Sequence, residues 1–342
     1  MSTRAFIAGV SGLVLTAEEQ AFLRQQRPWG FILFKRNVDH PAQVAELVRQ
    51  LRACLGSDEA PVLIDQEGGR VQRLGPPHWP AYPAGARFGE LFARDPDAGR
   101  RAAWLASRLI AADLSELGIT VDCLPLADVP VPGADAVIGD RAYGTSPAQV
   151  VALARAVAEG LADGGVLPVL KHIPGHGRAT ADSHLRLPVV DAPLAELEQM
   201  DFAAFRPLAD LPMAMTAHVV FSALDAAQPA TTSATMISRV IRGWIGFQGV
   251  LMSDDVSMNA LKGTISERAE AAFAAGCDIV LHCNGKLDEM EQVASVSPVL
   301  AGEAAQRARR AIAARRPPQP FDRAAGRLEL DGLLAQAKGL SA

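Results

Sequence analysis

The segment LKHIPGHGRATADSH, Leu170–His184, sets a lysine, three histidines and an aspartate within fifteen residues behind an apolar run. Such a set has several possible chemistries. His172, His176 and His184 could offer a metal three nitrogens, with Asp182 or Asp254 as oxygen donors. Catalytic zinc, however, often pairs histidines across one helical turn, and Pro174, Gly175 and Gly177 prevent a helix from setting this spacing. A phosphate loop would need a GK[ST] ending, which PGHG lacks. Lys171 at a strand end is a possible Schiff-base amine, but that role calls for an apolar pocket and its neighbours are polar. Acid–base chemistry remains. Asp182 stands two residues before His184, close enough on a loop to bond one ring nitrogen, fix the tautomer and raise the imidazole pKa. An imidazole so held can give and retake a proton near neutral pH, and the small residues of GRATADS suit a loop that swings over a ligand.

A second stretch, LMSDDVSM, ends an apolar run with two adjacent carboxylates, Asp254 and Asp255. Buried carboxylates are costly unless bonded, paired or used. Strand alternation sends the two in opposite directions, so one can face a site while the other anchors the following loop. A carboxylate nucleophile with a separate proton donor is the apparatus of retaining glycoside hydrolysis.

The elements that must position these groups are legible as alternating patterns. The apolar runs Ala5–Val10, Gly30–Phe34, Pro61–Asp65, Thr120–Val129, Leu167–His172, Ala214–Phe221, Gly249–Asp255 and Asp278–Cys283 are mostly continuous, as expected of parallel strands covered on both faces. Helical segments lie between them. Thr16 and Glu19 match a capping box, Asp95-Pro96 and Ser146-Pro147 pair a cap with proline at the first turn, and Ser266 opens a helix that Gly276 stops. Eight strands, each followed by helix or loop, predict an α/β fold: a single-domain (β/α)8 TIM barrel over residues 1–342, with a short helical tail from about residue 299. A doubly wound sheet is the rival, but no GxGxxG follows an early strand. In a barrel the chemistry sits at the C-terminal strand ends. Asp65, Glu67, Lys171, His172, His218, Asp254 and His282 all fall in or just after such ends, with five of the seven histidines in or after strands five to eight.

Composition narrows the partners. The net charge of −5 comes from interspersed acids and bases, without the basic stripe that nucleic-acid binding calls for. No apolar run approaches the ~20 residues of a membrane span. RAFIAGVSGLVL has the outline of a short signal peptide, but glycines interrupt it and a helix start follows, so a first strand in a cytoplasmic protein is expected. Four cysteines without framework spacing agree with a reducing compartment. No obligate protein partner is evident.

The motifs ILFKRNV, LIDQEGGRVQRL, GDRAYG, KHIPGHG, DSH and SDDVSM, in this order and spacing, resemble those of glycoside hydrolase family 3, in particular its single-domain bacterial β-N-acetylhexosaminidases. The likeness runs from about residue 5 to 300. It implies Asp254 as the nucleophile, His184 as the proton donor and acceptor, and Asp182 as its orienting partner. Asp65, Arg73, Arg141, Lys171 and His172 would hold the terminal sugar, with no metal and no cofactor. His176 reads as a loop-shaping residue, and Glu67 and Arg70 as structural or functional alike. The implied substrate is a muropeptide-type saccharide carrying β-linked N-acetylglucosamine on 1,6-anhydro-muramic acid. A phosphorylase or β-glucosidase on the same scaffold is the nearest rival, and a Schiff-base aldolase using Lys171 a distant one. One departure stands out: the family's first strand commonly ends in an aspartate before the glycine, where this chain reads AGVSG.

Overall fold

The computed structural model describes residues 2–183 and 185–338. Eight parallel strands close on one another in chain order: β1 (Arg4–Gly9), β2 (Pro28–Leu33), β3 (Val62–Ile64), β4 (Val121–Asp122), β5 (Leu167–Ile173), β6 (Met213–Thr216), β7 (Val250–Asp255) and β8 (Ile279–His282). The expected α/β barrel is thus the observed architecture.

Two apolar cores follow from the two-residue period of the strands. Ile7, Ile32, Leu63, Val121, Leu167, Val169, Met213, Val250, Met252 and Ile279 meet inside the barrel. The intervening residues, such as Phe6, Phe31, Ile64, Leu170 and Leu251, join the larger core under the surrounding helices. Three of the helices start at the caps expected from the sequence, and a fourth is capped by His40. Thr16 opens α1 (Ala17–Gln26) with a capping box, and His40, Asp95 and Ser146 cap α2 (Pro41–Leu55), α3 (Pro96–Glu116) and α4 (Pro147–Asp163), each with proline in the first turn. The C-terminal segment contributes structurally. Ala308 and Ala311 of Gly302–Ala313 pack into the inner core beside Trp29, and Arg323 pairs with Asp113 and Glu116 of α3.

Three expected boundaries are corrected. The run Thr120–Val129 forms a strand only at Val121–Asp122. Pro125 has no N–H to give, and the chain continues beside β5 through irregular bonds, including Lys171 N to Pro125 O and Ala127 N to Lys171 O. Strand six ends at Thr216 rather than Phe221. Beyond it Thr216 and His218 both bond the Thr231 hydroxyl, and Val220–Phe221 joins a small separate sheet; His218 therefore follows the strand. The helix expected from Ser266 is capped by Thr264, whose hydroxyl accepts from Glu267 N. No helix among the described residues is long and apolar enough to cross a membrane.

Under β7 and β8 the buried Asp278 carboxylate accepts from Arg242 (2.8 Å), Arg307 (2.9 Å) and Leu251 N (2.9 Å). Asp278→Ala would leave the largely buried Arg242 without a carboxylate partner and Arg307 with Glu303 alone, and should lower the unfolding free energy by about 3 kcal/mol. Urea midpoints measure this; a loss below about 1 kcal/mol would show that water replaces the carboxylate.

Candidate active site

Strand alternation that fills the lower barrel with apolar side chains brings polar ones to its upper rim. Above Leu63 stands Asp65, above Leu167 and Val169 stands Lys171, and above Val250 and Met252 stands Asp254. These residues line a cleft of about 460 Å³ with Arg73, Arg141, His172, His176, Asp182 and Ser183. Seven of the eight residues expected at the site therefore share one cavity. The eighth, His184, lies outside the described residues.

The floor of the cleft is a buried ion network. Lys171 Nζ donates to Asp65 (2.9 Å) and lies 2.7 Å from Glu67. Arg141 donates to Glu67 through two nitrogens (2.9 and 2.8 Å). Arg73 donates to the second Asp65 oxygen (3.1 Å) and lies over the Phe34 ring. Burial alone pulls the Asp65 and Glu67 carboxyls upward. Lys171 with Arg73, and Lys171 with Arg141, overcome that and hold both below the usual carboxylate range. Burial likewise opposes charge on Lys171, but Asp65 and Glu67 push its pKa up. Lys171 is thus a held cation, the opposite of the neutral amine a Schiff base requires, and its contacts oppose the aldolase reading.

His172 is oriented by Asp128, a buried carboxylate after β4 that accepts from His172 Nδ1 (2.8 Å) and from the His176 backbone N–H (2.7 Å). Burial raises Asp128, yet the His172 contact outweighs it and keeps the group below its ordinary value. An ionised carboxylate only accepts, so Nδ1 carries the ring hydrogen and Nε2 is the other nitrogen of a ring that lines the cleft. His176 shares a hydrogen bond with Ser183 through Nε2 (3.0 Å).

Asp254 and Asp255 both border the cleft, but their bonding differs. Asp254 lines the cleft, its backbone N–H donating to Thr216. Asp255 accepts from Ser257 N (3.0 Å), Ser257 Oγ (2.6 Å) and Cys283 N (3.1 Å), so it fastens the loop after β7 to the end of β8. His218 donates to or accepts from Thr231 and approaches the Asp255 carbonyl, and His282 bonds Glu289; both are structural contacts. Within AGVSG, Val10 is buried and its carbonyl accepts from Arg36 (2.8 Å), which itself lines the cleft. The first strand thereby supplies a backbone anchor for a cation. Gly9 is needed beside it, because a Cβ would meet the Cys283 carbonyl at 2.5 Å.

Sequence reasoning left Glu67 undecided between two roles and missed Asp128. The signal for Asp128 was an acid embedded in apolar surroundings, LPLADVP, which needs a partner wherever it folds inside. Arg70, by contrast, bonds Asp140 and the carbonyls of Ala136 and Val137 at the rim.

His176 carries a pH signature. Burial, with the adjacent His172 ring adding to it, lowers its pKa to about 4 against the pull of Asp128 and Asp254. An unfolded histidine takes up its proton near 6.5, so this contribution to stability is complete above that pH and is lost as pH falls toward 4. The loss should reach about 3 kcal/mol. Urea midpoints at neutral and acid pH should show a flatter slope for His176→Gln; an unchanged slope would clear His176 of the effect.

The geometry has counterparts among known proteins. The glycosyl hydrolase family 3 N-terminal domain matches residues 9–315. A β-hexosaminidase of Bordetella avium is 40% identical over 279 residues, 80% of this chain and 79% of that protein. One from Chromobacterium violaceum is 38% identical over 88% of this chain and 84% of its own length. The crystal structure of NagZ from Neisseria gonorrhoeae with N-trifluoroacetyl-D-glucosamine superposes with a TM-score of 0.84 at 32% identity, covering 100% of this chain and 99% of the other. With that domain matched over most of its length and relatives of this identity, the chain belongs to glycosyl hydrolase family 3 and is a glycoside hydrolase.

Proposed function

We propose that this enzyme is a retaining exo-β-N-acetylglucosaminidase that removes terminal N-acetylglucosamine from β-linked peptidoglycan fragments. The observation that carries this reading is the shared cleft: the Asp254 carboxylate faces the same space as the Asp65–Lys171–Glu67–Arg141 network. Paired charges around a rigid floor suit a sugar, whose hydroxyls both donate and accept. The glucosamine preference is supported by the relatives named β-hexosaminidases and by the N-acylglucosamine in the NagZ complex. A fragment of cell-wall saccharide ending in 1,6-anhydro-muramic acid, processed in the cytoplasm during wall recycling, is the substrate we assign. The four cysteines, all free and buried, agree with that reducing compartment.

In this mechanism Asp254 attacks the anomeric carbon while His184, steadied by Asp182, protonates the departing oxygen. Water, deprotonated by the same histidine, then cleaves the glycosyl–aspartate ester with net retention. Positive charge developing on the ring is stabilised by the carboxylate beneath it. Asp65, Arg73, Arg141, Lys171 and His172 hold the hydroxyls and fix the ring.

One assay set tests the reading: aryl β-N-acetylglucosaminide against aryl β-glucoside, each in phosphate and in an uncharged buffer. The expected result is faster turnover of the former, free sugar as product and no dependence on phosphate. Sugar 1-phosphate as the main product would make the enzyme a phosphorylase, and preference for glucoside would remove the acetamido assignment. Asp254→Ala should retain the wild-type melting profile and lose on the order of 10³-fold or more in kcat. Near-normal activity would exclude Asp254 as the nucleophile.

A further inference from the structure

We propose that His176 is a positioning residue for the acid/base segment: its bond to the Ser183 hydroxyl holds the backbone from which Asp182 projects into the cleft. The inference rests on the assignment of Asp182 and His184 made above, and it adds a residue to which no role in the reaction has been given.

His176 stands on a fixed shelf. Its N–H is held by Asp128 (2.7 Å). The next residue must be glycine, because a Cβ on Gly177 would meet the Val129 carbonyl at 2.2 Å. Gly177 O accepts from Val131 N (3.3 Å) and Ala179 O from Asp135 N (2.8 Å), so this stretch follows the loop after β4 bond by bond. Arg178 is clamped from the other side by Asp201 (3.0 Å) and Glu196 (2.8 Å). Residues 176–179 therefore have little freedom.

The chain then leaves the shelf. Leu185 is 75% exposed, and a turn is drawn by Leu185 N and Arg186 N donating to Asp182 O (both 3.0 Å). Ser183, within that turn, is buried, and its hydroxyl reaches back to His176 Nε2 (3.0 Å). The bond thus joins a rigid segment to an excursion that carries Asp182 and leads into His184. Because the His176 pKa lies near 4, the ring stays neutral through the working range and the tether keeps one form. Neutral, it is not an imidazolium acid there, which separates its task from that of the proton donor.

A misplacement of about 1 Å in a reacting group costs on the order of 10²-fold in rate. Loss of the tether should fall on the proton-transfer step and spare substrates that need no proton. The test compares kcat/KM across aryl β-N-acetylglucosaminides from phenol to dinitrophenol leaving groups for wild type, His176→Ala, His176→Gln, Ser183→Ala and His184→Ala. Glutamine keeps a nitrogen near the place of Nε2, and Ser183→Ala breaks the same bond from the loop side should the buried alanine variant fail to fold. The expected result is a loss on the order of 10²-fold for phenol and only a few-fold for dinitrophenol in His176→Ala and Ser183→Ala, with His176→Gln near wild type. Equal losses across the series, or none, in Ser183→Ala with His184→Ala steep would overturn the tether alone. A flat series for His184→Ala would remove the acid assignment, and the tether with it.

Discussion

Lys171 can occupy the centre of this barrel only because two carboxylates meet it there. A lysine 2% exposed would shed its proton in apolar surroundings; between Asp65 and Glu67 it keeps it. Each of those acids in turn needs a second cation, Arg73 for one and Arg141 for the other. The result is a chain of alternating charge, Arg73–Asp65–Lys171–Glu67–Arg141, in which removing any member strands its neighbours. Four elements contribute to it: the end of β3, the hairpin that follows, the loop before α4 and strand β5. The network therefore fixes the relative placement of the loops that form the cleft as much as it prepares that cleft for a ligand.

The barrel explains why that network sits beside Asp254. Side chains facing the lumen recur every second residue, and after two apolar layers the next inward position on β3, β5 and β7 falls at the rim. A shift of one residue in β7 would exchange Asp254 with Asp255. Asp255 cannot make that exchange without giving up Ser257 and the Cys283 N–H. The bonds of Asp255 thus act as a register lock for Asp254, the proposed nucleophile.

Legibility in the sequence followed locality. Strand count, most helix starts and the separation of Asp254 from Asp255 depend on periodicity and caps, which neighbouring residues determine. The ends of β4 and β6 did not, because Asp128 answers to His172, and Thr216 and His218 to Thr231, partners far along the chain. For the same reason Glu67 was undecidable beforehand: its two cations come from positions 141 and 171. The family resemblance suggested the proposed sugar-binding set, whereas the supporting acids had to be found by asking which buried charge pays for which.

Charge balance at the floor also bears on the kind of ligand accommodated. Asp65 and Glu67 are outnumbered by Lys171, Arg73 and Arg141, and every one of these groups already has an ionic partner. A ligand with its own full charge would have to break such a pair and leave a buried ion unmatched. A neutral sugar instead adds hydroxyls to donors and acceptors that remain paired, and displaces only water. Strong discrimination between ground state and transition state then falls to groups outside the network, where charge changes during reaction. Asp254 lines the cleft beside that network, so in the proposed mechanism charge developing at the anomeric carbon would meet its carboxylate.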